Sequence, residues 1–145
     1  MTRVLIVDDA LFMRRLIRQA LEPLGYNICA EACDGEEAIS LFRQHRPDVT
    51  TLDMVMPNAD GIAALTGIRA IDPEAKVIMV TAVDQRDAML RAVQLGVSDF
   101  IVKPFAPERI VSAIDRALGG SQRTSSQRGA PALPEKPAAP SQVLV

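Results

Sequence analysis

The sequence predicts an α/β fold, an open, doubly wound parallel sheet of five strands with five helices. Five short β-like runs, Val4–Asp8, Asn27–Cys33, Asp48–Asp53, Lys76–Thr81 and Ser98–Lys103, alternate with five stretches of helical periodicity. Three of the runs are nearly continuously apolar, as expected of strands covered on both faces by helices. Five βα units in a row then imply right-handed crossovers into one sheet.

Each element has its own signal. After the first run, Met13, Leu16, Ile17, Ala20, Leu21 and Leu24 form an i, i+3, i+4 stripe, and Gly25 stands where a helix C-cap is expected. The second run alternates, with Ile28, Ala30 and Ala32 assigned to one face and Glu31 to the other, the pattern of an edge strand. Ala38, Ile39 and Phe42 mark the second helix, and His45 is placed in its last turn, where the helix dipole favours a cation. Ile62 with Leu65 marks the third helix, and Ala88, Ala92 and Leu95 the fourth, closed by Gly96. Ile110, Val111, Ile114, Ala117 and Leu118 mark the fifth, closed by Gly119.

The expected domain is therefore 1–118, and 119–145 reads as a Pro/Ser/Ala-rich tail or linker that does not pack. Pro131, Pro134, Pro137 and Pro140 recur every third residue, along one edge of a polyproline II helix, which suits a semi-rigid spacer or a ligand for a proline-reading surface.

Of the 145 residues 48% are hydrophobic and 23% charged, the balance of a globular domain with one core. No apolar run approaches the roughly 18 residues of a membrane span, and no signal peptide opens the chain, so a cytoplasmic location is expected and no membrane partner. Residues 1–118 carry 13 Lys and Arg against 17 Asp and Glu, a net charge of −4, which argues against direct nucleic-acid binding. Cys29 and Cys33, about 13 Å apart along an extended strand, cannot form a disulfide, and with one histidine in the chain they make a poor metal pair.

The chemistry gathers at strand ends. Asp8 and Asp9 close the first strand, Asp53 the third, Thr81 the fourth and Lys103 the fifth. In an open α/β sheet, ligands bind beyond the carboxyl ends of the strands. An Asp pair after a strand can by itself be a helix N-cap, and a Lys-Pro dipeptide an ordinary loop. If strands one and three are neighbours, however, three carboxylates converge and repel one another. A hard divalent ion answers that repulsion, and Mg²⁺ is the inferred cofactor. One carboxylate can then attack a phosphoryl group whose charge the ion and an ammonium neutralise.

Val7-Asp8-Asp9, Leu52-Asp53-Met54-Val55-Met56-Pro57, Thr81-Ala82 and Lys103-Pro104-Phe105 together resemble the motifs of bacterial two-component response-regulator receiver domains, across residues 3 to 118. Phe12-Met13-Arg14-Arg15 is similar to the single-domain chemotaxis receivers. The resemblance implies a flavodoxin-like sheet of order 2-1-3-4-5. It implies that Asp53 is the phosphoacceptor, that Asp9 ligates Mg²⁺ directly and Asp8 through water, and that the Val55 carbonyl completes the protein's ligands. Lys103, before a proline bond that is usually cis in such domains, would pair with the phosphoryl oxygens. Thr81 would draw towards them, and Phe100 would turn inward in response. Val55 and Val83 occupy the positions that tune dephosphorylation. Arg86, Met89, Phe100, Val102 and Arg116 are the partner-binding candidates, on a face made by the fourth helix, fifth strand and fifth helix.

The implied function is a phosphorylation-activated signalling switch, charged by a histidine kinase and read by a downstream protein, of chemotaxis or motility type. It catalyses no reaction beyond its own phosphorylation and dephosphorylation. Two alternatives are a receiver fragment of a larger regulator with an effector domain and a phosphotransferase of the haloacid dehalogenase type. The latter resembles Asp-x-Asp after a first strand, whereas the carboxylates here are adjacent.

Overall fold

The structure is a computed structural model and describes residues 1–82 and 85–119. Val83 and the segment 120–145, with its recurring prolines, lie outside the described residues. The strands are β1 (Arg3–Val7), β2 (Asn27–Ala32), β3 (Val49–Asp53), β4 (Val77–Thr81) and β5 (Asp99–Val102). The helices are α1 (Leu11–Leu21), α2 (Gly35–His45), α3 (Gly61–Ile71), α4 (Arg86–Gln94) and α5 (Pro107–Ala117). A 3-10 turn at Glu22–Leu24 follows α1. All strand pairs are parallel, in the order β2-β1-β3-β4-β5.

Alternate residues of the central strands enter two separate cores. Leu5, Val7, Leu52, Val77, Met79 and Phe100 meet α2, α3 and α4 through Phe42, Leu65 and Met89. Val4, Ile6, Val49, Ile78, Val80 and Ile101 meet α1 and α5 through Ile17, Leu21, Ile110 and Ile114. This accounts for the continuous apolar runs: period-two alternation is invisible when both faces are buried.

The expected edge strand is indeed at the edge, but its faces differ from the expected pattern in one residue. Ile28 packs with Val4 and Ile6, whereas Ala30 and Ala32 pack with Leu5 and Val7. The register jumps from Val4 opposite Ile28 to Leu5 opposite Ala30. The extra residue, Cys29, breaks the alternation, so Ile28 and Ala30 point to opposite faces. Both cysteines are free, Cys33 exposed and Cys29 half-buried.

The expected ends of α4 and α5 stand, whereas α1 stops at Leu21 and Gly25 caps the 3-10 turn that follows it. Gly25, Gly96 and Gly119 have φ of +94°, +81° and +74°, a conformation that costs other residues steric strain. His45 ends α2. Arg69 of α3 ties down the end of α4, its guanidinium donating at 2.6 Å to the carbonyls of Leu95, Gly96 and Ala75.

The loop after β3 is held by close backbone packing. Asp60 caps α3 by accepting from the Ala63 amide, and the Gly61 amide donates to the Met54 carbonyl at 2.9 Å. A Cβ on Gly61 would lie 2.5 Å from the Asp53 carbonyl oxygen and 2.6 Å from Met54 Cα. Gly61→Ala is therefore expected to cost about 1–3 kcal/mol of stability, read as a lower urea midpoint with an unchanged slope. An unchanged midpoint would show that the loop yields without cost.

Candidate functional site

Parallel strands all end on one side, so the five polar residues at the strand termini are delivered to the same end of the sheet. Asp8 follows β1, Asp53 is the last residue of β3, Thr81 the last of β4, and Lys103 follows β5. With β1 beside β3, oxygen atoms of Asp8, Asp9 and Asp53 lie within 4.8 Å of one another. The side-chain ammonium of Lys103 is 3.2 Å from Asp53 Oδ1 and 3.4 Å from Asp8 Oδ2.

Burial sharpens the electrostatics. Asp8 is 1% exposed, Asp53 5% and Thr81 1%, whereas Asp9 is open to solvent. Burial and the neighbouring Asp8 push the Asp53 carboxyl up to about 6, against the pull of Lys103 and of the Val55 amide. Burial draws the Lys103 ammonium down, but Asp53 and Asp8 outweigh it and hold it above its ordinary value. One cation is thus shared between two buried anions. Asp8 Oδ1 accepts from the Ala10 amide at 2.9 Å. Among the described residues Asp8 Oδ2 has the ion contact with Lys103 and no aligned hydrogen bond. The N-cap reading of the Asp pair does not hold: Ala10 is the N-cap of α1, and no side chain caps it.

The flanking loops brace this site. Lys103 donates its amide to the Thr81 carbonyl at 2.7 Å, and the Lys103-Pro104 bond is cis. The Thr81 hydroxyl donates to the Ala82 carbonyl at 3.1 Å and sits 3.5 Å from Met54 Sδ. The loop from Met54 to Asp60 is tied to α2, with Asn58 donating to Asp34 and the Glu36 amide donating to the Asn58 carbonyl. Val55 projects from it, 60% exposed. Val83 lies outside the described residues.

Two features escaped the sequence. Arg14 donates to the Asp8 carbonyl at 2.7 Å and to Glu31 of β2 at 2.9 Å, linking the acidic turn to the edge strand. Arg18 joins the same carboxylate, and the two guanidiniums hold Glu31 below the usual carboxylate range although burial lifts it. An i, i+4 arginine pair opposite a lone strand glutamate is the signal that could have found it. The second feature is the exposure of Leu11 and Phe12 at the start of α1 beside the acidic turn.

The candidate partner face divides. Arg86 and Arg116 are exposed, the latter 2.9 Å from Asp99, and Val102 is half-buried. Met89 and Phe100 are 5% and 1% exposed and belong to one core cluster, so neither is presented to a partner in this conformation. Consecutive residues on a helix point about 100° apart, and it is Leu90, 45% exposed, that faces outward. Phe100 is already inward, so the expected inward turn is not a change this conformer has left to make.

The comparisons with known proteins agree with this geometry. The family model described as "Response regulator receiver domain" matches residues 4–115. Chemotaxis protein CheY of Bacillus subtilis is 45% identical over 116 residues, covering 80% of this chain and 97% of its own. Protein CcdB of the same organism is 50% identical over 119 residues, covering 82% and 99%. Among solved structures, the CheX-CheY-BeF3-Mg complex from Borrelia burgdorferi matches with a TM-score of 0.76 at 35% identity, covering 79% of this chain and 87% of that one. These matches set aside the haloacid dehalogenase alternative. The acidic strand-end cluster therefore belongs to a receiver, and the chain is a member of the response regulator receiver domain family, whose members are phosphorylation-activated signalling switches.

Proposed function

We propose that the chain is a switch of the chemotaxis type, in which Asp53 accepts a phosphoryl group from a histidine kinase and the α4–β5–α5 face passes the change to a protein partner. The observation that carries this reading is the placement of Asp53: a buried carboxylate at a strand end, within 4.8 Å of two further carboxylates and 3.2 Å from a single ammonium. The domain extends over 1–118, and the switch catalyses only its own phosphorylation and dephosphorylation.

The residues present fit Mg²⁺. Among the described residues Asp8 Oδ2 is a buried acceptor without a hydrogen bond, and three clustered carboxylates face one lysine, so the site is short of positive charge. Hard oxygen donors of this kind suit a hard divalent ion. Asp8, Asp9, Asp53 and the Val55 carbonyl would hold it. When bound, the ion supplies charge that offsets the repulsion between the carboxylates and an incoming phosphoryl group.

The chain's own groups do the rest. An Asp53 carboxylate oxygen attacks phosphorus, an O–P bond forms, and the N–P bond to the donor histidine breaks with the electron pair leaving on the imidazole, which takes up a proton. Lys103 neutralises the phosphoryl oxygens. Thr81 gives up the Ala82 carbonyl to donate to a phosphoryl oxygen, leaving space beside the Phe100 and Met89 cluster in which α4 and β5 readjust.

The decisive test is incubation with a small phosphodonor and Mg²⁺ followed by intact mass. Wild type is expected to gain one phosphoryl group, and Asp53→Asn or wild type in excess chelator none. Equal labelling of Asp53→Asn would end this reading.

A pH prediction follows from the raised Asp53 carboxyl. Its folded value exceeds the ordinary 3.8, so its contribution to stability is full below that value and is lost as pH rises through about 6. In chelator, Asp53→Asn is expected to be more stable than wild type near neutral pH by roughly 1–3 kcal/mol, with the difference vanishing below about pH 4. A gain that persisted in acid would contradict the assigned repulsion.

Dephosphorylation requires a water held in line with phosphorus. Val55 and Val83 offer it no hydrogen bond, so the phosphorylated wild type is expected to decay several-fold more slowly than Val55→Asn/Val83→Glu. Equal decay rates without a phosphatase would refute the role of these positions.

A further inference from the structure

β1 ends at Val7, so the acidic turn that follows lies beyond the regular pairing of the sheet. The Asp8 amide still donates to the Ala32 carbonyl of β2 at 3.0 Å. After Ala32 the edge strand turns away: the Cys33 amide donates to Glu37 Oε1 at 2.8 Å, and Asp34 caps α2 by accepting from the Glu37 amide. The Asp8 carbonyl takes its donor from a side chain instead, the Arg14 guanidinium, whose Nη1 lies 2.7 Å away.

Arg14 is itself held in place. Its Nε donates to Glu31 Oε1 at 2.9 Å, and Arg18, one turn further along α1, donates through Nε to Glu31 Oε2 at 2.8 Å. Glu31 stands opposite Ile6 in the strand register, on the sheet face that α1 covers. The side chains of Arg14 and Glu31 are 16% and 23% exposed, so their contact is screened less than a surface ion pair. One guanidinium therefore braces the turn between two carboxylates of the site against the edge strand.

A peptide unit is planar, so fixing the direction of the Asp8 carbonyl fixes the plane from which Asp9 departs. Asp9 is open to solvent, where packing restrains it little. Its carboxylate nonetheless lies with those of Asp8 and Asp53, their oxygens within 4.8 Å of one another, although like charges repel. Resting on the Mg²⁺ reading of this cluster, we propose that Arg14 is a positioning residue for the metal. By holding the Asp8 carbonyl it keeps the Asp8–Asp9 peptide in the orientation in which the carboxylates bind the ion.

Position and charge act in opposite directions. A cation near the site repels Mg²⁺, so loss of the Arg14 charge alone would tighten metal binding. Loss of the brace weakens it, because the turn relaxes under the repulsion of its carboxylates and has to be reordered when the ion binds. Arg18 brings the same charge to the same glutamate, and among the described residues it makes no hydrogen bond to the Asp8 carbonyl. It therefore separates the two effects. A lysine at position 14 keeps the charge but lacks the planar fork that spans the carbonyl and Glu31.

The test is a Mg²⁺ titration of the full chain without phosphodonor, followed through the amide resonances of Asp9, Asp53 and Val55. Wild type is expected to saturate, and Arg14→Met to bind about tenfold more weakly, the lower end of the loss that follows removal of a group behind metal ligands. Arg14→Lys is expected between the two, and Arg18→Met no weaker than wild type. Binding by Arg14→Met as tight as wild type, or tighter, would overturn the proposal. So would an Arg18→Met weakened as much as Arg14→Met, which would assign the loss to the Glu31 network as a whole. If Arg14→Met does not give a folded spectrum, Arg14→Lys decides by the same comparison with wild type. A wild type without saturable shifts would remove the Mg²⁺ reading and the positioning role together, whereas saturation in wild type with unweakened Arg14 variants would remove the positioning role alone.

Discussion

Asp8 and Asp53 are buried beside each other at the ends of adjacent strands, with Lys103 between them at 3.4 and 3.2 Å. Placing two like charges out of water is costly, and one shared ammonium offsets only part of it. The cost shows in the Asp53 carboxyl, pushed up to about 6 even with a lysine in contact. A site left short of positive charge is one that a divalent ion or a change in charge on Asp53 can alter strongly. The stable packing around it is what prevents the carboxylates from simply moving apart.

That packing comes from the two cores on either side of the sheet. β1, β3 and β4 lie in the interior of the sheet, with the fully buried Leu5, Ile6, Leu52, Ile78 and Met79 fixing their positions. Each strand therefore delivers its terminal polar residue to a defined place. The loops then add their own restraints: the Asp8 carbonyl is held by Arg14, the Asp53–Met54 backbone by close approach of Gly61, and Lys103 by the hydrogen bond that its amide donates to the Thr81 carbonyl. The Thr81 hydroxyl, by contrast, is held only by weak acceptors, the next residue's carbonyl and Met54 Sδ, which a better acceptor could displace. Rigid carboxylates and an exchangeable hydroxyl belong together in a switch, because the charge must stay while its reporter moves.

The proposed partner face draws on both layers. α4 and β5 pack with the core that contains Met89 and Phe100 and reaches Met54 beside Thr81, so a change at the phosphoacceptor has a route of contacts to that side. α5 packs on the other core, which β5 also reaches through Ile101, so β5 joins the two sides of the proposed partner face.

Much of this was legible in the residues alone. The alternation of five apolar runs with five helical stripes, and the polar residue closing each central run, are local patterns set by burial on two faces, so they survive in one dimension. The resemblance to receivers added the strand order, which no local signal encodes, because it depends on which strands pair. The tertiary structure alone decided the rest. Cys29 forms a bulge because β1 and β2 are out of step, and this sends Ile28 to the other core, a register effect that alternation by itself cannot reveal. Which of Met89 and Leu90 is exposed depended on how α4 is rotated over the sheet, a matter of 100° that a short apolar stripe does not determine. The contact of Arg14 with Glu31, and the approach of Asp115 to Tyr26, each join residues far apart in the chain, and such pairs acquire meaning only when packing brings them together.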